Sequence, residues 1–372
     1  MIRRIASRVA LRIRRTVEPR GELPLAGDRT AQIRIDAGGD AGHATGVKLH
    51  DAIAVLLEDP LDQILARSIL GTADVAEIAD RVSGFVAAQL GRAIVDCPLF
   101  IQSVGAVFGL DLDDGARVVL KVHAFGEQLR GFGSLEELDA VYAAQTELAA
   151  AGYPCARVVV PPCSFDPRTA AAITAWLDPG KSDAPGEPST RRALAAMLAR
   201  SVELCATLTR SAQLPRAILP GDRVLPHPHN ALFDFTRPEG GWIDERARQA
   251  RAILDEPAPL VVMHTDVSGA NARVVDGALA AVYDMDSVAW IDEHRCVASA
   301  AVHFTYTGEP GWRWPTRDEA LAYIADYEAL RGYTLDRRRL DAAMIYSMAY
   351  TARCELGPGG LGAMGQALAA LA

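Results

Sequence analysis

From Val47 to Leu90, apolar residues recur at helical spacing. Ile53, Leu56 and Leu57, then Ile64 and Leu65, mark the inner face of a predicted run of helices. Near Phe100 the period changes. "FIQSVGAVFGLDL" and "ARVVLKVHAF", separated by "DDG", predict two strands around a turn. "SLEELDAVYAAQTELAAAGYP" returns to helical spacing. Ser134 and Glu137 form a capping-box pattern there, Gly152 stops the helix and Pro154 lies just beyond. "CARVVVPP" predicts another strand. After the Pro/Gly/Ser-rich connection "AWLDPGKSDAPGEPST" the chain reads as mostly helical, apart from Val261–Ser287. In "DEALAYIADYEALRGY", Leu321, Ile324 and Tyr327 read as core, with the acids outward. No internal repeat is visible. The pattern predicts an α+β chain with a small sheet-rich lobe followed by a larger helical one. The expected divisions are an extension over residues 1–46, a first lobe over 47–173 and a second over 174–372.

Composition narrows the function classes. A chain of 372 residues, half of them hydrophobic and 23% charged, is globular and long enough to bury a full core without staples. The net charge of -9, with no basic stripe beyond the N-terminus, argues against a nucleic-acid partner. The first twenty residues carry seven Arg and one Glu, and residues 21–46 are rich in Gly, Asp and Ala. Together they read as a disordered extension, with a targeting segment or a start site placed too early as alternatives. The six cysteines are scattered without a C-x-x-C pair, which fits reduced thiols in a cytoplasmic protein. No apolar run is long enough to span a membrane.

The chemistry concentrates in "VVMHTDVSGANARVVDGALAAVYDMDS". "LVVM" reads as a short strand ending at His264. "ARVV", Asp276-Gly277 and "ALAAVYD" form the clearest hairpin signal in the chain, because Asp-Gly suits a two-residue turn that needs positive φ. Pairing Val275 with Ala278 sets Asn271 opposite Val282, and Asp284 then lies two residues past that point at the same open end. An amide oxygen and a carboxylate delivered to one place, beside His264 and Asp266, form the sparse oxygen set that holds Mg²⁺ next to phosphates.

The spacing H-x-D-x-x-x-x-N followed by Asp284 resembles the aminoglycoside phosphotransferase / choline kinase-like branch of the protein kinase fold, over roughly Phe100 to Cys354. "HTDVSGAN" is similar to that group's H-G-D-x-x-x-x-N motif, and "VYDMDS" to its I-D-[WF]-[DE] motif. Thr265 replaces the usual Gly, and Met285 stands where an aromatic residue is frequent. The resemblance implies a two-lobed kinase-like fold with an antiparallel first-lobe sheet. It implies transfer of the γ-phosphate of ATP or GTP, with Mg²⁺, to a hydroxyl of a small molecule such as an aminoglycoside, a macrolide, a choline-like compound or a sugar. Asp266 would then be the catalytic base, His264 its brace, Asn271 and Asp284 the metal ligands, and Asp286 an aid to metal or substrate.

The first lobe offers matching parts. "RVVLKVH" sets Lys121 in an apolar strand, after a stretch in which Ser103, Gly105 and Gly109 let backbone approach phosphates. In the resembled group that Lys pairs with a Glu of the next helix. Here the helix residue placed to meet it is Gln145 or none at all. By the same resemblance the interlobe hinge is "ITAWLD", where backbone from Ala175 to Leu177 meets the base. Asp326 and Glu355, near the last helices, are candidates for cationic groups of the acceptor, and "FTYTGEPGWRW" for a substrate-pocket wall. His227 and His229 read as loop structure ahead of metal binding. Two rivals stand beside the kinase reading. One is a nucleotide-binding pseudokinase acting through protein contacts, motivated by Gln145. The other is a metal-dependent hydrolase built on His264, Asp266, Asp284 and Asp286.

Overall fold

The computed structural model describes residues 46–126, 132–308, 311–357 and 359–371. Apart from Gly46, the extension expected over residues 1–46 lies outside the described residues.

The chain opens with α1 (Leu49–Leu56), α2 (Pro60–Leu70) and α3 (Val75–Leu90). Asp59 and Asp74 start the second and third by accepting from the amides of Leu61 and Glu77, which satisfies donors no helix carbonyl can reach. Gly71 and Gly91 end them in the left-handed region. Ile53, Leu56, Leu65, Ile69 and Val82 face one core with Phe100, Phe108, Leu110 and Leu120 of the sheet. Ile64 does not join it and is 41% exposed, because it lies on the outer side of α2.

That sheet has five antiparallel strands in the order β1-β2-β3-β5-β4. They are β1 (Ile94–Gln102), β2 (Ala106–Leu112), β3 (Arg117–Ala124), β4 (Val158–Asp166) and β5 (Thr169–Ala175). The stretch expected to be one strand from Phe100 to Leu112 is two. The chain reverses at Ser103–Gly105, so that Gln102 pairs with Ala106. Gly105 permits this, since a Cβ there would lie 2.6 Å from the Val122 carbonyl oxygen. β5 escapes pattern reading because it has no polar face. Ala171 and Ile173 enter the helix-covered core, while Ala170 and Ala172 meet Leu138 and Tyr142 of α4 (Leu135–Ala150) on the other side. Half of the capping box forms at the start of α4. Ser134 accepts from Glu137 N, but the Glu137 carboxylate accepts from Gly133 N instead of closing the box.

The second lobe holds α5 (Pro188–Cys205), α6 (Gly241–Leu254), α7 (Glu293–His303), α8 (Arg317–Arg331), α9 (Arg337–Glu355) and α10 (Ala363–Ala369). Two small ladders interrupt it: β6 (Leu260–His264) with β9 (Val288–Asp292), and β7 (Ala272–Val275) with β8 (Ala278–Val282). The fold is thus the two-lobed α+β architecture, with an antiparallel sheet in the smaller lobe and helices dominating the larger. In α8, Ile324 and Tyr327 are core as expected, but Leu321 is 39% exposed and Glu328 is buried. The Glu328 carboxylate is accommodated because it accepts from Leu335 N and pairs with Arg337. Among the described residues no helix is long and apolar enough to cross a membrane.

Candidate active site

The β7–β8 hairpin turns through Asp276 and Gly277, at φ 52° and 74°, the left-handed pair that a two-residue turn of this hand requires. Val275 pairs with Ala278 as expected, but the register shifts between Arg273 and Val274. Ala272 therefore stands opposite Val282, and Asn271 opposite Tyr283, whose amide donates to the Asn271 carbonyl at 2.8 Å. The bulge brings Asp284 one residue closer to Asn271 than unbroken pairing would. Asp284 itself is left-handed, at φ 53° and ψ 40°, an unusual conformation for a non-glycine residue that marks sites held by their surroundings.

Those surroundings start at His264, which ends β6 and is fully buried. Its Nε2 lies 3.0 Å from the Tyr283 carbonyl oxygen, tying the strand end to the residue before Asp284. Thr265, in the position where the resembled group has Gly, donates its hydroxyl to the Ser287 carbonyl at 2.7 Å and so pins the turn after Asp286. Met285 points into the core. Asn271 donates Nδ2 to the Asp266 backbone carbonyl and to Asp266 Oδ2, both at 2.9 Å. With the amide nitrogen so used, the Asn271 oxygen is the side-chain atom that remains able to accept a donor or a cation. Burial pushes the Asp266 carboxyl above the ordinary carboxylate range, and the Asp284 charge adds to this.

Lys121 reaches this group from the other lobe. Its Nζ donates to Asp284 Oδ1 at 2.9 Å and to Asp286 Oδ1 at 2.7 Å. Burial works against the ammonium, yet the two carboxylates hold its pKa above the usual lysine value. Asp286 shows the mirror effect: burial raises it, but the charge and hydrogen bond of Lys121 outweigh burial and hold it below the ordinary range. Asp284 is the open member, with its side chain 45% exposed against 18% for Asp286.

Not every expected partner arrives. Gln145 is not brought to Lys121. It is buried and donates Nε2 to the Ala156 carbonyl at 2.6 Å, fastening α4 to the segment that leads into β4. One turn earlier on the same helix, Tyr142 faces the site, with its hydroxyl 2.9 Å from His123 Nε2. Neither residue was singled out from sequence. The available signal was period two along β3, which puts His123 on the face of Lys121. At the expected hinge, the Ala175 amide donates to the Arg157 carbonyl and the Trp176 amide to the Arg117 carbonyl. Leu177 lies past these last sheet bonds. The Trp176 indole covers Gly109, where a Cβ would fall 2.3 Å from the ring. Ser103 and Gly105 form the turn between β1 and β2, and a Cβ on Gly105 would also lie 3.9 Å from Lys121 Cε.

Both carboxylates expected to meet a cationic acceptor have internal partners. Asp326 pairs with Arg191 at 2.7 Å, joining α8 to α5. Glu355 accepts from Trp314 Nε1 at 2.9 Å and from Met364 N at 2.7 Å. Tyr306, Trp312 and Trp314 form one cluster, Tyr306 stacked on Trp314 at 5.5 Å and Trp312 edge-on to both at 4.9 and 4.4 Å. Their segment runs against Gly269, in the loop between β6 and β7, where a Cβ would lie 3.0 Å from the Tyr306 carbonyl oxygen. His229 bonds to the Tyr350 hydroxyl at 3.1 Å, within a loop that covers α9.

No protein-family model matches the sequence, and no curated protein matches it. Solved structures do match. The chain is similar to an amicoumacin kinase in complex with AMP-PNP, Ca²⁺ and Ami, at 12% identity and TM-score 0.54, over 79% of this chain and 93% of that one. It also matches a spectinomycin phosphotransferase in complex with ADP and spectinomycin, at 10% identity and TM-score 0.48, over 74% and 86%. A macrolide 2'-phosphotransferase type I matches at 14% identity and TM-score 0.48, over 80% and 97%. All three are by their descriptions small-molecule kinases or phosphotransferases. The first shares its fold with this chain. The likeness is one of fold: the two-lobed architecture expected from the sequence is shared with the amicoumacin kinase structure.

Proposed function

We propose that this chain transfers the γ-phosphoryl group of a nucleoside triphosphate, ATP or GTP, to a hydroxyl of a small molecule. The observation that carries this reading is the interlobe junction. A half-buried strand lysine meets Asp284 and Asp286, and the Asp266–Asn271 pair occupies the adjoining loop. Phosphoryl transfer rests on positioning and on charge stabilisation, and this arrangement supplies both.

Lys121 and the backbone of the Ser103–Gly105 turn bind phosphate oxygens. Backbone near Leu177 holds the base. Asp266 takes the proton of the acceptor hydroxyl as that oxygen bonds to Pγ, while the bond from Pγ to the bridging oxygen breaks and the nucleoside diphosphate leaves. A carboxyl held above its ordinary range suits this role, since a stronger base accepts the proton more readily. Asn271 Oδ1 and Asp284 fit Mg²⁺, which takes few protein ligands and completes its shell with water and phosphate. When bound, the ion neutralises charge on the phosphates. Two oxygen donors suit an ion shared with a nucleotide better than a hydrolase's own metal cage. Among the described residues no three of His, Cys, Asp and Glu converge as a metal site. The aromatic group of Tyr306, Trp312 and Trp314, beside Gly269, is the acceptor-side wall in this reading.

The test is a nucleotide-consumption screen over a panel of hydroxylated small molecules, with mass spectrometry for a phosphate adduct. An adduct should form with the wild type and fall by about 10²–10⁴-fold in Asp266→Ala while nucleotide still binds. Near wild-type turnover in Asp266→Ala contradicts the assignment. Nucleotide binding without any adduct returns the pseudokinase reading.

A further inference from the structure

Lys121 carries a difficulty that the site must resolve. To meet a triphosphate it has to give up part of its hold on Asp286, and that carboxylate is largely buried. A buried carboxylate left without a partner is costly, so phosphate binding is opposed unless another donor takes over.

We propose that His123, set in place by Tyr142, is the positioning residue that holds Asp286 when Lys121 turns to the triphosphate. This rests on the kinase reading above and assigns a role beyond it. Lys121 and His123 are two residues apart on β3 and share its cleft face. Opposite them on β5 stand Ala172 and Ala170, whose small side chains leave room for α4 to cover this face. α4 supplies Tyr142, with its hydroxyl 2.9 Å from His123 Nε2 and its ring edge-on to the imidazole at 5.7 Å. Phe132 closes another side, edge-on at 5.5 Å. The other nitrogen, Nδ1, faces Asp286 Oδ2 at 3.7 Å, while Asp286 Oδ1 takes Lys121 at 2.7 Å. Oδ1 is thus bonded to the ammonium, while Oδ2 faces the imidazole just beyond hydrogen-bond distance, near enough for Asp286 to engage His123 when the ammonium turns away.

A neutral imidazole has one N–H and one lone pair. In this proposal the phenol hydroxyl is the donor to Nε2, which puts the hydrogen of the neutral ring on Nδ1, facing Asp286. A neutral imidazole can still donate Nδ1–H to the carboxylate, so Asp286 keeps a hydrogen-bond partner as the lysine turns to the ligand. Burial favours this form, depressing the His123 pKa to about 4.

The experiment uses the full chain and measures MgATP affinity by calorimetry, melting temperature, and the imidazole nitrogen resonances of His123 with and without MgATP. His123→Leu should weaken MgATP by about tenfold, equivalent to about 1.4 kcal/mol. His123→Asn, whose amide nitrogen falls near the place of Nδ1, should recover part of that loss. Tyr142→Phe should weaken affinity about threefold, and in the wild type the Nδ1 resonance should move when MgATP binds. A purely structural histidine predicts lower melting temperatures with unchanged affinity in the folded molecules, and that result overturns the proposal. If His123→Leu does not fold, Tyr142→Phe decides it, and wild-type affinity there is the contrary result. A wild type that binds no nucleotide refutes the kinase reading itself. A wild type that binds, with variants equal to it, refutes the role of His123 alone.

Discussion

At the scale of single residues, the site is decided by which polar groups face each other across a few ångströms. Asp266, Asn271, Asp284 and Lys121 were legible because their spacing and residue types carry chemistry whatever surrounds them. Gln145 was not, because its partner depends on how α4 rotates over the sheet, and no spacing rule fixes that angle. Its Nε2 donates to the Ala156 carbonyl, so a carboxylate at this position would face a carbonyl oxygen with no proton to offer. Gln145→Glu should therefore lower stability by about 1–3 kcal/mol, the cost of a buried acceptor left unsatisfied, without tightening MgATP. Urea denaturation and calorimetry on the same preparation check both halves. A variant that binds nucleotide more tightly at full stability would return Gln145 to Lys121.

At the scale of elements, helices and the Asp-Gly hairpin were readable, and the failures share a cause. β5 has no polar face because helices cover both its sides, so alternation is lost. The bulge at Arg273/Val274 leaves no mark in the residue pattern, yet it sets how Asp284 meets Asn271. The turn at Ser103–Gly105 was hidden because strand-forming residues flank it so closely on both sides that the stretch reads as one strand. Junctions between elements are fixed by equally unreadable contacts. Arg339 of α9 donates Nε to Asp292 Oδ2 at 2.8 Å and Nη2 to the Leu254 carbonyl at 3.0 Å, locking α9 to the end of β9 and to α6. Asp292 is buried, which raises its pKa, but its bonds to His294 and Arg339 outweigh that and hold it below the ordinary range. A depressed carboxyl contributes stability above its unfolded pKa of about 3.9, and loses it as pH falls through the lower folded value. Arg339→Ala leaves that carboxylate without its cation and should cost about 3–5 kcal/mol in urea denaturation near neutral pH. The deficit should shrink in acid, where Asp292 takes up a proton. A loss under about 1 kcal/mol would show that the pair carries little of this junction.

At the scale of the whole molecule, the sheet and first three helices share one core, while α4 packs Ala140, Val141, Ala144 and Leu148 into the core of the larger lobe. A polar seam joins the lobes beside that apolar contact. Lys121 is the first lobe's contribution, while Asp284 and Asp286 are the second's. Neither lobe alone contains the proposed phosphate site. The two-lobed division could be read from the change in hydrophobic period along the chain. The seam could not, since it joins residues more than 160 positions apart. Phosphoryl transfer by this chain requires that the seam hold a nucleotide. Calorimetric titration of the full chain with MgATP, run beside Lys121→Ala and Asp284→Ala, tests it most directly. The account predicts saturable, Mg²⁺-dependent binding by the wild type and affinities weaker by at least about tenfold in both variants. A wild type that binds no nucleoside triphosphate, or variants that bind it as the wild type does, would contradict it.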